Sequence, residues 1–242
     1  MPPTITPPRP ADLVERTARA LARLRRGRLL HPAGRSFAGE VVVWDTPGPP
    51  TGVRLLDLPD RYPATIRLSK GTPTPGSWPD VLGLAVRVHR PTGRPFDLLV
   101  SSSAAAPVLR QLPLPRRRFA GTYSSIMSYR AGRRRLWLAA LADPDAPDLG
   151  RDLASVARAD APRLVLAVAS ATGSWRPFGQ VILGDQLDAR EDAALAFDPV
   201  GNLPEELRLV GPLRWLRQHS YRGSRRGRGA GAQSGGSMGV TV

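Results

Sequence analysis

Residues 28–39 open with Arg28-Leu29-Leu30-His31-Pro32-Ala33-Gly34 and run on to Gly39, joining a leucine-rich segment to a block of β-branched residues. An arginine stands three residues before the histidine, and glycines stand three and eight residues after it. A strand is expected to begin at Glu40, which puts His31 where a loop feeds into a sheet. Glycine lets backbone approach a flat ligand closely. A single histidine is more often a hydrogen-bonded structural residue than a catalyst, and that alternative stands beside the functional one.

Outward from this stretch, the chain changes character on each side. Upstream, residues 1–10 are proline-rich and read as an extended arm. Residues 11–26 place Leu13, Val14, Ala18, Leu21 and Leu24 at helical spacing, with Asp12 as a candidate cap. Downstream come short β-type runs bounded by Gly, Pro or Asp, at 41–44, 53–56, 64–68, 82–88 and 96–100. Residues 121–129 and 135–141 flank Arg130-Ala131-Gly132 and predict a hairpin, and 163–170 and 178–183 complete the set. Many short strands predict an antiparallel barrel or sandwich with a few flanking helices, an α+β class. Residues 204–218 read as a loop running into a short helix. Past Arg228 the sequence is Gly- and Ser-rich with little to bury, so 229–242 is expected to be a disordered tail. The main domain is then 11–228.

Composition removes several function classes. The chain has no cysteine, so disulfides, thiolate metal sites and cysteine nucleophiles are excluded, and it has only three histidines, His31, His89 and His219. His89 and His219 have no setting like that of His31 and read as structural or exposed. No apolar run reaches the roughly 18 residues that span a bilayer. The amino terminus lacks a signal-peptide pattern, so a cytoplasmic protein without a membrane partner is expected. The net charge of +15 is almost wholly arginine, Lys70 being the lone lysine. Runs such as 116–118 and 133–135 suit phosphate contact, yet no aromatics interleave with them, which argues against a nucleic-acid partner. No G-x-S-x-G elbow, H-E-x-x-H helix or P-loop is present.

The pattern R-x-x-H-x-x-G-x-x-x-x-G resembles the distal-histidine segment of the haem catalases. Ile66-Arg67-Leu68-Ser69 is similar to that family's R-F-S segment. Pro79-Asp80 with Gly83-Leu84-Ala85-Val86-Arg87-Val88 resembles its D…G-F-A-x-K-F strand, and Phe96-Asp97-Leu98-Leu99 its W-D-L-V strand. Phe197-Asp198-Pro199 with Asn202-Leu203-Pro204 resembles F-x-P-x-N-x-x-P-G, and Arg217-Gln218-His219-Ser220-Tyr221 reproduces R-x-x-S-Y. The order of these motifs agrees from Arg28 to Arg228.

The resemblance implies a catalase-core barrel holding haem b, with Tyr221 as the proximal iron ligand and His31 over the distal face. It implies propionate contacts from Arg28, Arg67 and Arg228, and Ser69 orienting His31. A phenol has a pKa of about 10, so iron and a nearby cation are needed to favour the tyrosinate. Arg217 lies one turn before Tyr221 if that segment is helical. A surface tyrosine among basic residues is the alternative. For each arginine, simple exposure is the alternative. A distal imidazole accepts a proton from one peroxide oxygen and returns it to the other, which is general acid–base assistance.

The departures from the family shape the expected activity. Where catalases follow W-D-L-V with G-N-N, this chain has Ser101-Ser102-Ser103, so Ser101 and Ser102 are the candidate peroxide contacts. The aromatic beside the distal histidine is shifted to Phe37, and the F-F-I-R-D segment reads Ala106-Pro107-Val108-Leu109-Arg110. The chain is about half the length expected of a full catalase, which implies a more accessible haem. The expectation is a peroxidase acting on hydrogen peroxide or an organic hydroperoxide with a small organic co-substrate, with weak disproportionation. The alternatives are a hydroperoxide-rearranging enzyme and a non-catalytic haem-binding or scaffold protein. A homodimer is left open.

Overall fold

The computed structural model describes residues 33–45, 48–72, 74 and 77–211. The expectations placed on residues 1–32 and 212–242 lie outside the described residues. They include Arg28, His31, Arg217, His219, Tyr221, Arg228, the helix at 11–26, the arm and the tail.

Eight strands close into an antiparallel barrel. In chain order they are β1 (Ala33–Val43), β2 (Asp60–Lys70), β3 (Leu82–Val88), β4 (Phe96–Ser102), β5 (Tyr123–Ser124), β7 (Arg134–Ala142), β8 (Arg163–Ala169) and β9 (Arg176–Gln186). Each pairs with the next in that order, and β9 returns to β1 to complete the ring. Two further strands, β6 (Ser128–Ala131) and β10 (Leu207–Val210), extend from β7 as a spur outside it. Helices are short: α1 (Arg54–Asp57), α2 (Leu153–Arg158) and α3 (Ala189–Ala194). Asp152 caps α2, and Asp188 and Glu191 form a capping box on α3. No helix among the described residues is long and apolar enough to cross a membrane.

The period of two fixes which side chains fill the barrel. Phe37, Ile66, Val86 and Leu98 sit opposite one another across β1 to β4, and all are at most 3% exposed. Leu68, Leu84 and Val100 repeat the pattern one step along and join the same apolar cluster. The interior is therefore packed with Val, Leu, Ile and Phe, and it is the alternate residues that form the outer wall.

Several sequence expectations are corrected. The run 53–56 is helical, because Asp57 folds back to accept the N–H groups of Thr51 and Gly52 at 2.8 and 2.9 Å and closes a turn. Short apolar runs do not distinguish strand from buried helix. β1 begins at Ala33 instead of 40, since β2 pairs with it along its whole length, from Ala33↔Lys70 to Val43↔Asp60. The segment 121–129 breaks at Ile126, whose φ is +58°, while the Ser125 hydroxyl donates to the Met127 carbonyl at 2.7 Å. The hairpin turn accordingly falls at Gly132-Arg133. Residues 207–210 are a strand, burying Leu207 and Leu209 and exposing Arg208. The F-F-I-R-D counterpart is a single 3-10 turn at Leu109–Gln111.

Candidate functional site

The outer wall of the barrel carries an unbroken row of small residues. Gly34, Ser69, Gly83, Ser101, Ser124, Ala139 and Ala167 lie opposite one another across seven successive strands. Ser69 is 4% exposed, and Ser124, Ala139 and Ala167 are fully buried. Two residues along β7 from Ala139, on the same face, Trp137 is buried and its Nε1–H has no hydrogen-bond acceptor among the described residues. Buried polar groups are nearly always satisfied, so an orphaned donor on this wall needs an explanation.

Both motif glycines are there for steric reasons. A Cβ on Gly34 would stand 2.5 Å from the Arg67 guanidinium, and one on Gly39 would stand 2.2 Å from the Ile182 carbonyl oxygen. Gly34 thus lets Arg67 lie across the end of β1. Gly39 lets β9 close against β1 at the register shift between Phe37 and Gly39.

Arg67 is 4% exposed and its Nε donates to Asp192 of α3 at 3.2 Å. The Ser36 hydroxyl donates to the same carboxylate oxygen. A carboxylate of the chain itself therefore meets the arginine for which the resemblance implied a propionate. Ser69 Oγ donates to the Gly83 carbonyl at 3.3 Å.

The two candidate peroxide contacts part company. Ser101 lies in the small-residue row. Ser102 points to the opposite face, where its hydroxyl accepts the Leu82 N–H at 2.9 Å and donates to the Leu114 carbonyl at 2.6 Å. It ties the start of β3 to the segment after β4.

Three motif stretches that lie apart in the sequence are joined in the structure. Arg87, Asp97 and the 197–202 run form one network, with the Arg87 guanidinium over the Phe197 ring at 5.1 Å and donating to the Ala196 carbonyl at 2.7 Å. Hydrogen bonding to Asp97 raises the Arg87 pKa above its ordinary value. The signal available in sequence was a lone aspartate inside the apolar run 96–100. Asp80 plays a comparable part in the β2–β3 connection, accepting from the hydroxyls of Thr72 and Thr74 at 3.1 and 3.0 Å.

The fold of this barrel is shared with solved proteins. Superposition on a fungal catalase gives a TM-score of 0.63 at 14% identity, covering 86% of this chain and 62% of that one. A bacterial catalase gives 0.56 at 14% identity, covering 93% and 62%. The chain has the catalase-barrel fold. It spans 62% of the length of each of these two catalases. No family model matches the sequence, and no curated protein does at a significant level.

The outer wall of this catalase-type barrel fits a flat macrocycle in one definite respect. A row of Gly, Ser and Ala over seven strands presents no large side chain of its own to a planar ring, although on β5, β7 and β8 the chain's own atoms cover it. Among the described residues no group of His, Cys, Asp or Glu side chains converges as a metal site.

Proposed function

We propose that this chain is a haem-dependent, peroxide-using oxidoreductase, peroxidase-like and weak in disproportionation. The observation that carries this reading is the small-residue row of the outer wall, in a barrel of catalase fold. The orphaned Trp137 Nε1–H adds a donor that a bound ligand would satisfy.

On this reading Tyr221 holds the iron as the phenolate, and Arg217 favours the deprotonated form by its charge. Arg28 and Arg228 carry the propionates, with Arg67 sharing its guanidinium between a propionate and Asp192. Bound haem supplies the iron at which the peroxide O–O bond is broken. His31 takes the proton from the near peroxide oxygen and delivers it to the far one, so that the departing oxygen leaves as water or an alcohol. Ser69 orients the imidazole, and Ser101 offers one hydrogen bond to the peroxide.

The test is the absorption spectrum of protein produced with haem precursor. The wild type is expected to show a ferric Soret band without thiolate features, and Tyr221→Phe to lose stable haem while the barrel stays folded. A colourless wild type, or a Tyr221→Phe variant with unchanged haem content and spectrum, overturns the reading.

A further inference from the structure

The end of the barrel at which β7 and β9 begin and β8 finishes holds a cavity. At this end β1 finishes opposite the start of β9, with Val43 paired to Gly179. The cavity has a volume of about 510 Å³, within the range that encloses small ligands. Leu136 and Val168, both buried, form an apolar floor. Three arginines from two segments stand around it, Arg134 and Arg135 at the start of β7 and Arg176 at the start of β9.

No carboxylate among the described residues lines this cavity. Asp57, which folds under the same loop, has both oxygens taken by the backbone N–H groups of Thr51 and Gly52. The arginines are held by neutral acceptors. Arg134 donates to the Pro50 carbonyl, and Arg176 donates to the Pro49 carbonyl at 3.1 Å. The side chain of Arg135 has no hydrogen bond or ion pair among the described residues.

A fourth cation lies behind the wall. Arg110 is 1% exposed and donates to the carbonyls of Ser170 and Gly173 at 3.4 and 2.7 Å. Its guanidinium stacks over the Trp175 ring at 4.2 Å, and no carboxylate among the described residues pairs with it. Three arginines lining one concavity and a fourth behind its wall, with no carboxylate among the described residues paired to them, repel one another and draw in an anion. Guanidinium forks suit planar or tetrahedral oxyanions, and the floor suits a hydrocarbon body.

We propose that this cavity binds a small organic oxyanion, its charged head on Arg134, Arg135 and Arg176 and its apolar body on Leu136 and Val168. The site is independent of haem. It gives the arginine-rich surface a defined ligand in place of a diffuse attraction for phosphate.

Calorimetric titration of the full chain at constant ionic strength tests this, with phenyl phosphate, inorganic phosphate and phenol as probes. Phenyl phosphate is expected to bind saturably and more tightly than either of the others. Arg135→Gln is expected to weaken it about tenfold, the size of one lost charge-assisted hydrogen bond. Arg117→Gln, an equal loss of charge away from the cavity, is expected to leave it unchanged. Neither side chain has a partner to lose among the described residues, so both variants keep the fold. Absence of saturable binding overturns the proposal, as does equal weakening by the two variants or inorganic phosphate binding as tightly as phenyl phosphate.

Discussion

Arg87 and Asp97 face each other across β3 and β4 and share two parallel hydrogen bonds of 2.7 Å, with Asp97 wholly buried. The same carboxylate accepts the Asp198 N–H at 2.6 Å and the Asn202 side-chain amide at 2.9 Å. One buried charge thus fastens the segment after α3 to the barrel wall. Removing a single partner from such a pair strands the other, at a cost of about 3–5 kcal/mol. Arg87→Met is expected to destabilise by that amount in urea denaturation. Arg87→Met with Asp97→Leu is expected to recover much of the loss, and a double variant no more stable than the single would contradict this account.

Gly39→Ala places a methyl group against the Ile182 carbonyl, which belongs to backbone and cannot turn aside. Gly34→Ala meets only the end of a long side chain, which can move. Thermal melts are expected to show the Gly39 variant far less stable than the Gly34 variant. Equal losses would show that backbone approach between β1 and β9 is not what the glycine provides.

The sequence reveals the strands wherever alternation is strong, and β3 falls at 82–88 as expected. It misplaces elements set by partners distant in the chain. The first turns of β1 look like loop until β2 is laid beside them, and β10 looks like loop until β6 accepts it. The site divides in the same way. Residue types at Gly34, Arg67 and Ser69 were readable from spacing, whereas the contact of Arg67 with Asp192 joins segments that no local pattern connects. Ser101 and Ser102 were indistinguishable in sequence. The pleat separates them.

That separation is testable. Ser101→Asn is expected to raise oxygen evolution from hydrogen peroxide several-fold above the weak wild-type rate, if the proposed function holds. Ser102→Ala leaves a buried N–H and carbonyl without partners and is expected to cost about 1–3 kcal/mol without changing the reaction. Oxygen-electrode rates and denaturant midpoints separate the two effects, and the reverse pattern would reassign the serines.

For His31→Ala, the proposed role predicts retained haem and a fall of at least about a hundredfold in kcat/KM for peroxide-dependent oxidation of a phenolic donor. Steady-state kinetics on protein of matched haem content would decide it. Unchanged kcat/KM removes His31 from the proton transfer.

His89 accepts or donates a 2.8 Å hydrogen bond with Thr65, and burial, aided by the charge of Arg87, lowers its pKa. The folded state therefore binds a proton less readily than the unfolded chain. Its contribution to stability is complete above the ordinary histidine value of about 6.5 and declines as pH falls below it. Melting temperatures between neutral and mildly acid pH should fall more steeply for the wild type than for His89→Gln. Parallel profiles would show that His89 is not a source of acid sensitivity.

The ring order has a consequence for how the polypeptide is made. Strands β1 to β8 each find a partner in the strand emitted just before or after them, with β6 diverted to the spur. The second edge of β1 has to wait for β9, so Val41 meets Tyr62 early but Val181 only after the strands between them have emerged. Until then a strand rich in valine presents unpaired N–H and carbonyl groups to its surroundings, the condition under which nascent chains associate with one another. Yield of soluble protein should therefore be governed by how this one seam is shielded on the ribosome, by slower translation or by a chaperone, more than by the stability of the finished barrel.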